Sequence, residues 1–164
     1  MDLRIIRFLR RHHVLTLATT SGQASWTAHC FYAVLDDQAA LVFTSDPETR
    51  HGSEMLNNPQ VSGGIALETK VIGMIRGIQL TGRSFLFHPG EGRDPVTLHE
   101  GSPSDFISSP TADELMAAAR NAYLKRFPFA LAAKLDLWIL FIDYIKMTDN
   151  RLGFGRKVVW ERNP

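Results

Sequence analysis

The chain has 164 residues, 45% of them hydrophobic and 21% charged, and its 18 Lys and Arg against 17 Asp and Glu leave a net charge of +1. A chain of this length fits one domain and can bury roughly 68 to 70 per cent of its unfolded surface, so its core needs no disulfide or metal. The near-neutral balance offers no global field for nucleic acid, and the longest strongly apolar run, residues 137–142, is far short of the ~20 residues that span a bilayer.

The first residues, MDLRIIRFLRRHH, carry arginines every few positions and never form the apolar stretch of a signal peptide. The single cysteine, Cys30, excludes an internal disulfide. Both features fit a reducing cytoplasm. Leu3, Ile6 and Leu9 recur at helical spacing with Ile5 and Phe8 beside them, and Arg4, Arg7 and Arg11 take the other side. That pattern predicts an amphipathic helix with a solvated basic face, and contact of that face with phosphates or a membrane surface is the alternative.

Residues 14–20, 24–35 and 40–44 read as three antiparallel strands joined by turns at Ser21-Gly22 and Asp36-Asp37. Ser45-Asp46-Pro47-Glu48 has the S-x-x-E capping box with Pro just inside the start, and Asn57-Asn58-Pro59 supplies the stop of a helix of about three turns. Residues 61–67 and 74–87 return to strand character, with a bulge expected at Gly82. Residues 88–110, rich in Pro and Gly, are expected to be a mobile surface insertion, with a lid as the alternative. Thr111-Ala112-Asp113-Glu114 is a second capping box, and Leu115, Met116, Ala119, Ala122 and Tyr123 line one stripe of the helix behind it. Residues 137–147 and 157–160 are the last strands.

Six or seven strands in meander order with three helices predict a mainly β fold, a closed or nearly closed antiparallel barrel flanked by helices. The whole chain, 1–164, reads as one domain with the insertion at about 88–110.

Phe43-Thr44-Ser45-Asp46-Pro47-Glu48-Thr49-Arg50-His51 carries the strongest chemical signal, a strand running into a capped helix whose first turns hold hydroxyls and two cationic side chains. Free N–H groups and the helix dipole attract phosphate there, and Arg50 can grip it with a planar fork. An ordinary capped helix with a solvated Arg50 is the alternative. Trp26-Thr27-Ala28-His29-Cys30-Phe31-Tyr32 alternates small and large residues on a strand, which lets a planar ligand approach the backbone and equally suits a barrel strand with one packed face. The six histidines show no paired ligand spacing, so no metal is expected, and there is no nucleophile elbow or dinucleotide fingerprint.

In order, these segments resemble the pyridoxamine 5′-phosphate oxidase-like, FMN-binding split-barrel superfamily, and especially its bacterial YhbP-type branch. The resemblance spans essentially the whole chain. It is carried by Thr49-Arg50-His51, Ile75-Arg76-Gly77-Ile78-Gln79, Arg126-Phe127-Pro128, and Thr148-Asp149-Asn150-Arg151-Leu152-Gly153-Phe154-Gly155 followed by Trp160. It implies a six- to seven-stranded split barrel, a homodimer, and FMN in two grooves at the subunit interface. Phe43-Thr44 and Thr49-Arg50-His51 stand where the oxidase has a Tyr-Thr pair and a Ser-Arg-Lys run near the flavin phosphate. Thr27, Ala28, His29 and Cys30 correspond to the strand along the flavin, with contacts mainly through the backbone. Arg76-Gly77 stands for Arg-Gln across the interface, and Phe154 or Trp160 for an aromatic beside the ring.

His51 replaces a permanently charged lysine, and Gly77 has no amide to offer. Those departures lead away from pyridoxamine phosphate as substrate. The resemblance thus implies a flavin-dependent oxidoreductase of unnamed substrate, and a non-catalytic flavin- or haem-binding module is the alternative. Neither a nucleic acid nor a membrane is an expected partner.

Overall fold

The computed structural model describes residues 1–87, 112–132 and 135–162. The expected insertion at 88–110 and the Thr111 cap lie outside the described residues. The strands are β1 (Val14–Ser21), β2 (Ala24–Leu35), β3 (Ala40–Thr44), β4 (Gln60–Ala66), β5 (Arg76–Phe87), β6 (Leu137–Asp149) and β7 (Lys157–Glu161). Three α-helices, α1 (Leu3–Arg11), α2 (Arg50–Asn57) and α3 (Ala112–Arg126), flank them. The expected mainly β barrel is thus the observed fold, and no helix among the described residues is long and apolar enough to cross a membrane.

All pairings are antiparallel, in the order β3-β2-β1-β4-β5-β6-β7, and a further β3–β6 pairing closes the ring. The expected meander order is thereby corrected: β1–β2–β3 and β4–β5–β6–β7 are each consecutive, but they join through β1–β4 and β3–β6. β6 is where the barrel splits. Its residues 137–141 pair with β3 and its residues 144–148 pair with β7, while β5 occupies its other edge. The division falls at a bulge: Gly82 faces Ile142 and Thr81 faces Tyr144, so Asp143 is the extra residue. A Cβ on Gly82 would lie 2.1 Å from the Phe141 carbonyl oxygen, so only glycine fits there.

Two apolar clusters explain why the strands read as they do. The barrel interior holds Leu15, Leu17, Tyr32, Phe43, Ile65, Ile78, Leu80, Trp138 and Ile145, plugged by Ile5, Phe8 and Leu9 of α1 and Met55 of α2. On the outside, Leu115, Ala119 and Tyr123 of α3 cover Ala33, Val42, Phe85, Ile139 and Phe141. The continuous apolar runs of β3 and the start of β6 follow, because those residues are buried on both faces.

Three local expectations are corrected. The buried face of α1 is Ile5, Phe8 and Leu9, whereas Leu3 is 65% exposed, because Asp2 caps the helix and the i, i+3, i+4 set facing the barrel end starts at Ile5. The cap of α2 is Thr49, whose hydroxyl accepts from the Gly52 N–H at 3.2 Å. The box at Ser45 does not form, since Asp46 captures the Glu48 N–H at 2.8 Å and the chain turns there before the helix begins. β5 begins at Arg76 rather than residue 74, because residues 72–74 form a 3₁₀ turn.

Candidate functional site

β2 pairs with β1 along residues 24–31, but with β3 only from Tyr32 to Leu35. Among the described residues, the other edge of β2 from Ala24 to Phe31 therefore has no strand beside it. The Tyr32 N–H donates to the His13 carbonyl on the β1 side, so by strand alternation the backbone N–H and C=O groups of Thr27 and His29 point to this open edge while those of Ala28 and Cys30 pair with β1. Such an edge is a template for a ligand or another chain. Cys30 offers no side chain to this edge either: it is buried, and burial pushes its thiol pKa up to about 11. His29 is exposed, with Nδ1 3.1 Å from the Thr16 hydroxyl on the paired strand.

The β3–α2 corner stands beside that edge. Thr49 Oγ1 donates to the Asp46 carbonyl at 2.7 Å, and Ser45 Oγ lies 2.6 Å from His51 Nε2. Trp138 Nε1 donates to the Ser45 carbonyl at 2.8 Å, which anchors the corner to the core. Gly52 is required in the first turn, since a Cβ would come within 2.4 Å of the Asp46 carbonyl oxygen. The N–H groups of Arg50 and His51 precede the first intrahelical donor and have no backbone acceptor among the described residues. They are open to an anion.

Arg50 and a buried carboxylate complete the corner. Arg50 Nε donates to Glu54 Oε1 at 2.9 Å, and Thr19 Oγ1 donates to Glu54 Oε2 at 2.5 Å. The Thr19 hydroxyl and then the Arg50 guanidinium hold the Glu54 carboxyl below its ordinary range. Burial holds the His51 imidazole below its ordinary pKa, and the Glu54 charge opposes this only in part. His51 therefore stands neutral at physiological pH, unlike the lysine it replaces in the resemblance.

The structure brings together Thr44, Thr49, Arg50, His51 and the β2 edge at Thr27 to Cys30. Phe43 lies wholly inside the barrel, its ring stacked with Trp138 at 6.4 Å. Within one chain, Arg76 instead lines a cleft against α1, Gly77 follows it on β5, Phe154 stands 85% exposed in the turn before β7, and Trp160 packs on the core from β7. Trp26 and Ser45 stand in motifs read from the sequence without a role of their own at the site, and Glu54 is missed there. The i, i+4 spacing of Arg50 and Glu54 was the available signal.

The rest of the resembling motifs are structural. Arg126 donates to the carbonyls of Arg10 and His12, capping the C-terminus of α1. Asp149 accepts from the backbone N–H of Arg151 at 3.0 Å, and Asn150 Nδ2 donates to the Ile72 carbonyl at 2.8 Å, so the Asp-Asn turn ties the β6–β7 loop to the segment before β5. Burial pushes the Asp149 carboxyl up, but the Arg151 contacts and the charges of Arg151 and Arg76 outweigh it and hold it low.

The outer face of β1, β4, β5 and β6 forms a shallow groove of about 380 Å³ lined mostly by small and polar residues, among them Thr16, Ala18, Gly64, Gln79 and Tyr144. α3 covers the other side of the barrel. Val14 and Phe31, paired across β1 and β2, stand 40% and 54% exposed beside the groove.

A closed antiparallel barrel that splits along one long strand defines a fold class, the pyridoxamine 5′-phosphate oxidase-like split barrel. The chain superposes on a heme-binding protein of Mycobacterium smegmatis with a TM-score of 0.63 at 22% identity, over 92% of this chain and 53% of that one. It matches a FAD-binding protein of Mesorhizobium loti at a TM-score of 0.61 and 14% identity, over 90% and 93% of the two chains. HutZ, the heme storage protein of Vibrio cholerae, matches at 0.56 and 12% identity, over 98% and 93%. These likenesses establish the fold. No model of a protein family matches the chain. A UPF0306 protein of Yersinia pestis is 40% identical over 160 residues, covering 98% of this chain and 92% of its own length, and one of Photorhabdus laumondii is 40% identical over 158 residues, covering 96% and 94%. The chain belongs to the UPF0306 family.

Proposed function

We propose that this protein is an FMN-binding, YhbP-type member of the superfamily, a single domain acting as a cytoplasmic homodimer and as a flavin-dependent oxidoreductase. The observation that carries the reading is the unpaired edge of β2 running beside the start of α2. An elongated ligand with a terminal phosphate fits that pairing: Thr49, Arg50, His51 and the first N–H groups of α2 would hold the phosphate, and the backbone of Thr27 to Cys30 would follow the ring system. Thr44 and Ser45 shape the corner.

When bound, the flavin would supply the two-electron chemistry. The chain's own part is orientation and electrostatics, since the corner holds no exposed acid and base pair poised for proton transfer. Dimerisation would account for the uncovered outer face and would allow Gly77, Phe154 or Trp160 of one protomer to approach the cofactor of its partner, whereas Arg76, 9% exposed, stays in its own chain's cleft.

A haem-binding module is the second reading, favoured by the exposed His29. Its Nδ1 is engaged by Thr16, which would leave Nε2 free to hold a haem iron. Absorbance and mass spectrometry of the purified protein decide: the two-band flavin spectrum with the mass of FMN supports the first reading, a Soret band the second. Protein that takes up neither on reconstitution would defeat both.

A further inference from the structure

We infer that the cleft between α1 and the β5–β6 end of the barrel binds the phosphate group of a small phosphorylated molecule, at a site separate from the β3–α2 corner. The cleft has a volume of about 280 Å³. Arg4, Arg7 and Arg11 reach it from successive turns of α1, Arg76 from β5 and Arg151 from the turn after β6. Asp149 is the one carboxylate in its lining, and Arg151 already holds it at 3.1 Å. Asp2, at the start of α1, is taken by Arg4 at 2.7 Å.

Positive charge is left over. Among the described residues, Arg7 and Arg11 make no ion pair or side-chain hydrogen bond. Arg76 is 9% exposed, its guanidinium carbon lies 5.9 Å from the Phe8 ring centroid, and its Nε has no hydrogen-bond partner. A buried guanidinium with an orphaned N–H is costly, and native structures rarely leave one unsatisfied. An oxoanion seated in the cleft would give Arg76 its missing acceptor and neutralise Arg7 and Arg11 together. Converging planar guanidinium groups suit the several oxygens of a phosphate. Phe8, Met147 and Leu152 make the remaining walls apolar, which suits an organic group attached to that phosphate.

The inference does not depend on flavin binding, because neither Arg50 nor any part of α2 lines this cleft. It is tested by titrating the full chain with glycerol 3-phosphate and with inorganic phosphate in a calorimeter at fixed ionic strength. Arg7→Gln/Arg11→Gln changes only side chains on the solvent side of α1, Arg76→Lys keeps the charge but loses the planar fork, and Arg50→Ala reports on the other site. Saturable binding is expected in the unmodified protein and in Arg50→Ala, tighter for glycerol 3-phosphate than for inorganic phosphate, and weakened at least tenfold in Arg7→Gln/Arg11→Gln and in Arg76→Lys. If Arg76→Lys fails to fold, the double variant alone decides. Unchanged affinity in the double variant, loss of binding in Arg50→Ala alone, or a response no greater than that to added chloride would overturn the inference. Equal affinity for inorganic phosphate would overturn the organic part of it.

Discussion

The Arg50 guanidinium carbon lies 4.5 Å from the centroid of the Trp26 ring. That contact ties the start of α2 to the unpaired edge of β2, and the Arg50–Glu54 pair keeps the side chain from swinging away. A phosphate at this corner would meet an arginine already oriented by a ring on one side and a carboxylate on the other, so less side-chain entropy is lost on binding. Arg50→Ala should weaken FMN binding by ~1.5 to 3 kcal/mol, the worth of a charge-assisted contact, while the exposed Arg120→Ala leaves it unchanged. Fluorescence quenching of added FMN reads both. Equal affinity in the two variants would remove Arg50 from the site.

Acidification should destabilise the protein through two histidines. Burial, reinforced by the charges of Arg11 and Arg76, holds His12 below its ordinary pKa, and burial does the same for His51. The unfolded chain then binds more protons than the folded one as pH drops below about 6.5, so stability is complete above that value, falls as pH decreases, and levels off below the folded-state pKa values. The melting temperature measured across this range should trace that fall. His12→Asn should flatten it, since His12 Nε2 is a buried atom with no partner to share a proton with.

The legible part of this structure was set by local pattern. Turn residues and two-residue alternation mark β1 and β2, and the Gly82 bulge shows as a glycine inside an otherwise alternating strand. The α2 start was misplaced because two overlapping signals compete: Ser45 and Glu48 have capping-box spacing, but Asp46 satisfies the Glu48 N–H first, and Thr49 is the residue left to cap. In the candidate site, Arg50 and His51 were visible from their place in a helix start, whereas Trp26 and Glu54 gain meaning only once β2 and α2 are side by side. The arginine cleft was hidden for the same reason. Arg76 and Arg151 lie 75 positions apart and meet α1 only at the end of the barrel.

Cys30 should be chemically quiet despite its place on the strand proposed to follow the ligand. It is 6% exposed, and burial raises its thiol to about 11, so almost no thiolate is present at neutral pH. Thiol-reactive dyes should label it only after denaturation, and Cys30→Ala should leave flavin affinity unchanged. Rapid labelling of the folded protein would mean that this part of β2 opens, and a drop in affinity would mean that the side chain takes part.

The split depends on Gly82. Because its added Cβ would meet backbone rather than a side chain able to turn away, Gly82→Ala forces the β5–β6 bulge to shift. Overpacking of this kind costs ~1 to 3 kcal/mol, and a backbone clash belongs near the upper end. Gly73→Ala is the control, since nothing lies within 4 Å of a Cβ there. Urea denaturation at constant m-value should show the large loss in Gly82→Ala alone.

The outer face of the barrel supplies the last expectation. Phe31 stands more than half exposed between His13, whose ring stacks on it at 5.7 Å, and Phe127 at 5.5 Å, so two rings flank a residue that no described element covers. Val14 lies directly across from it on β1. An apolar cluster beside a shallow groove of small residues suits a flat, self-complementary contact between two copies. Phe31→Glu places a charge where that contact would exclude water, without touching the interior, and should convert a dimer to a monomer at micromolar concentration while leaving thermal unfolding of the monomer cooperative. Sedimentation velocity reads the change. If cofactor binding draws residues from both protomers, flavin affinity should fall in parallel with dimer content. A wild-type protein that sediments as a monomer with flavin fully bound would separate the two and leave the β2 edge as a complete site within one chain.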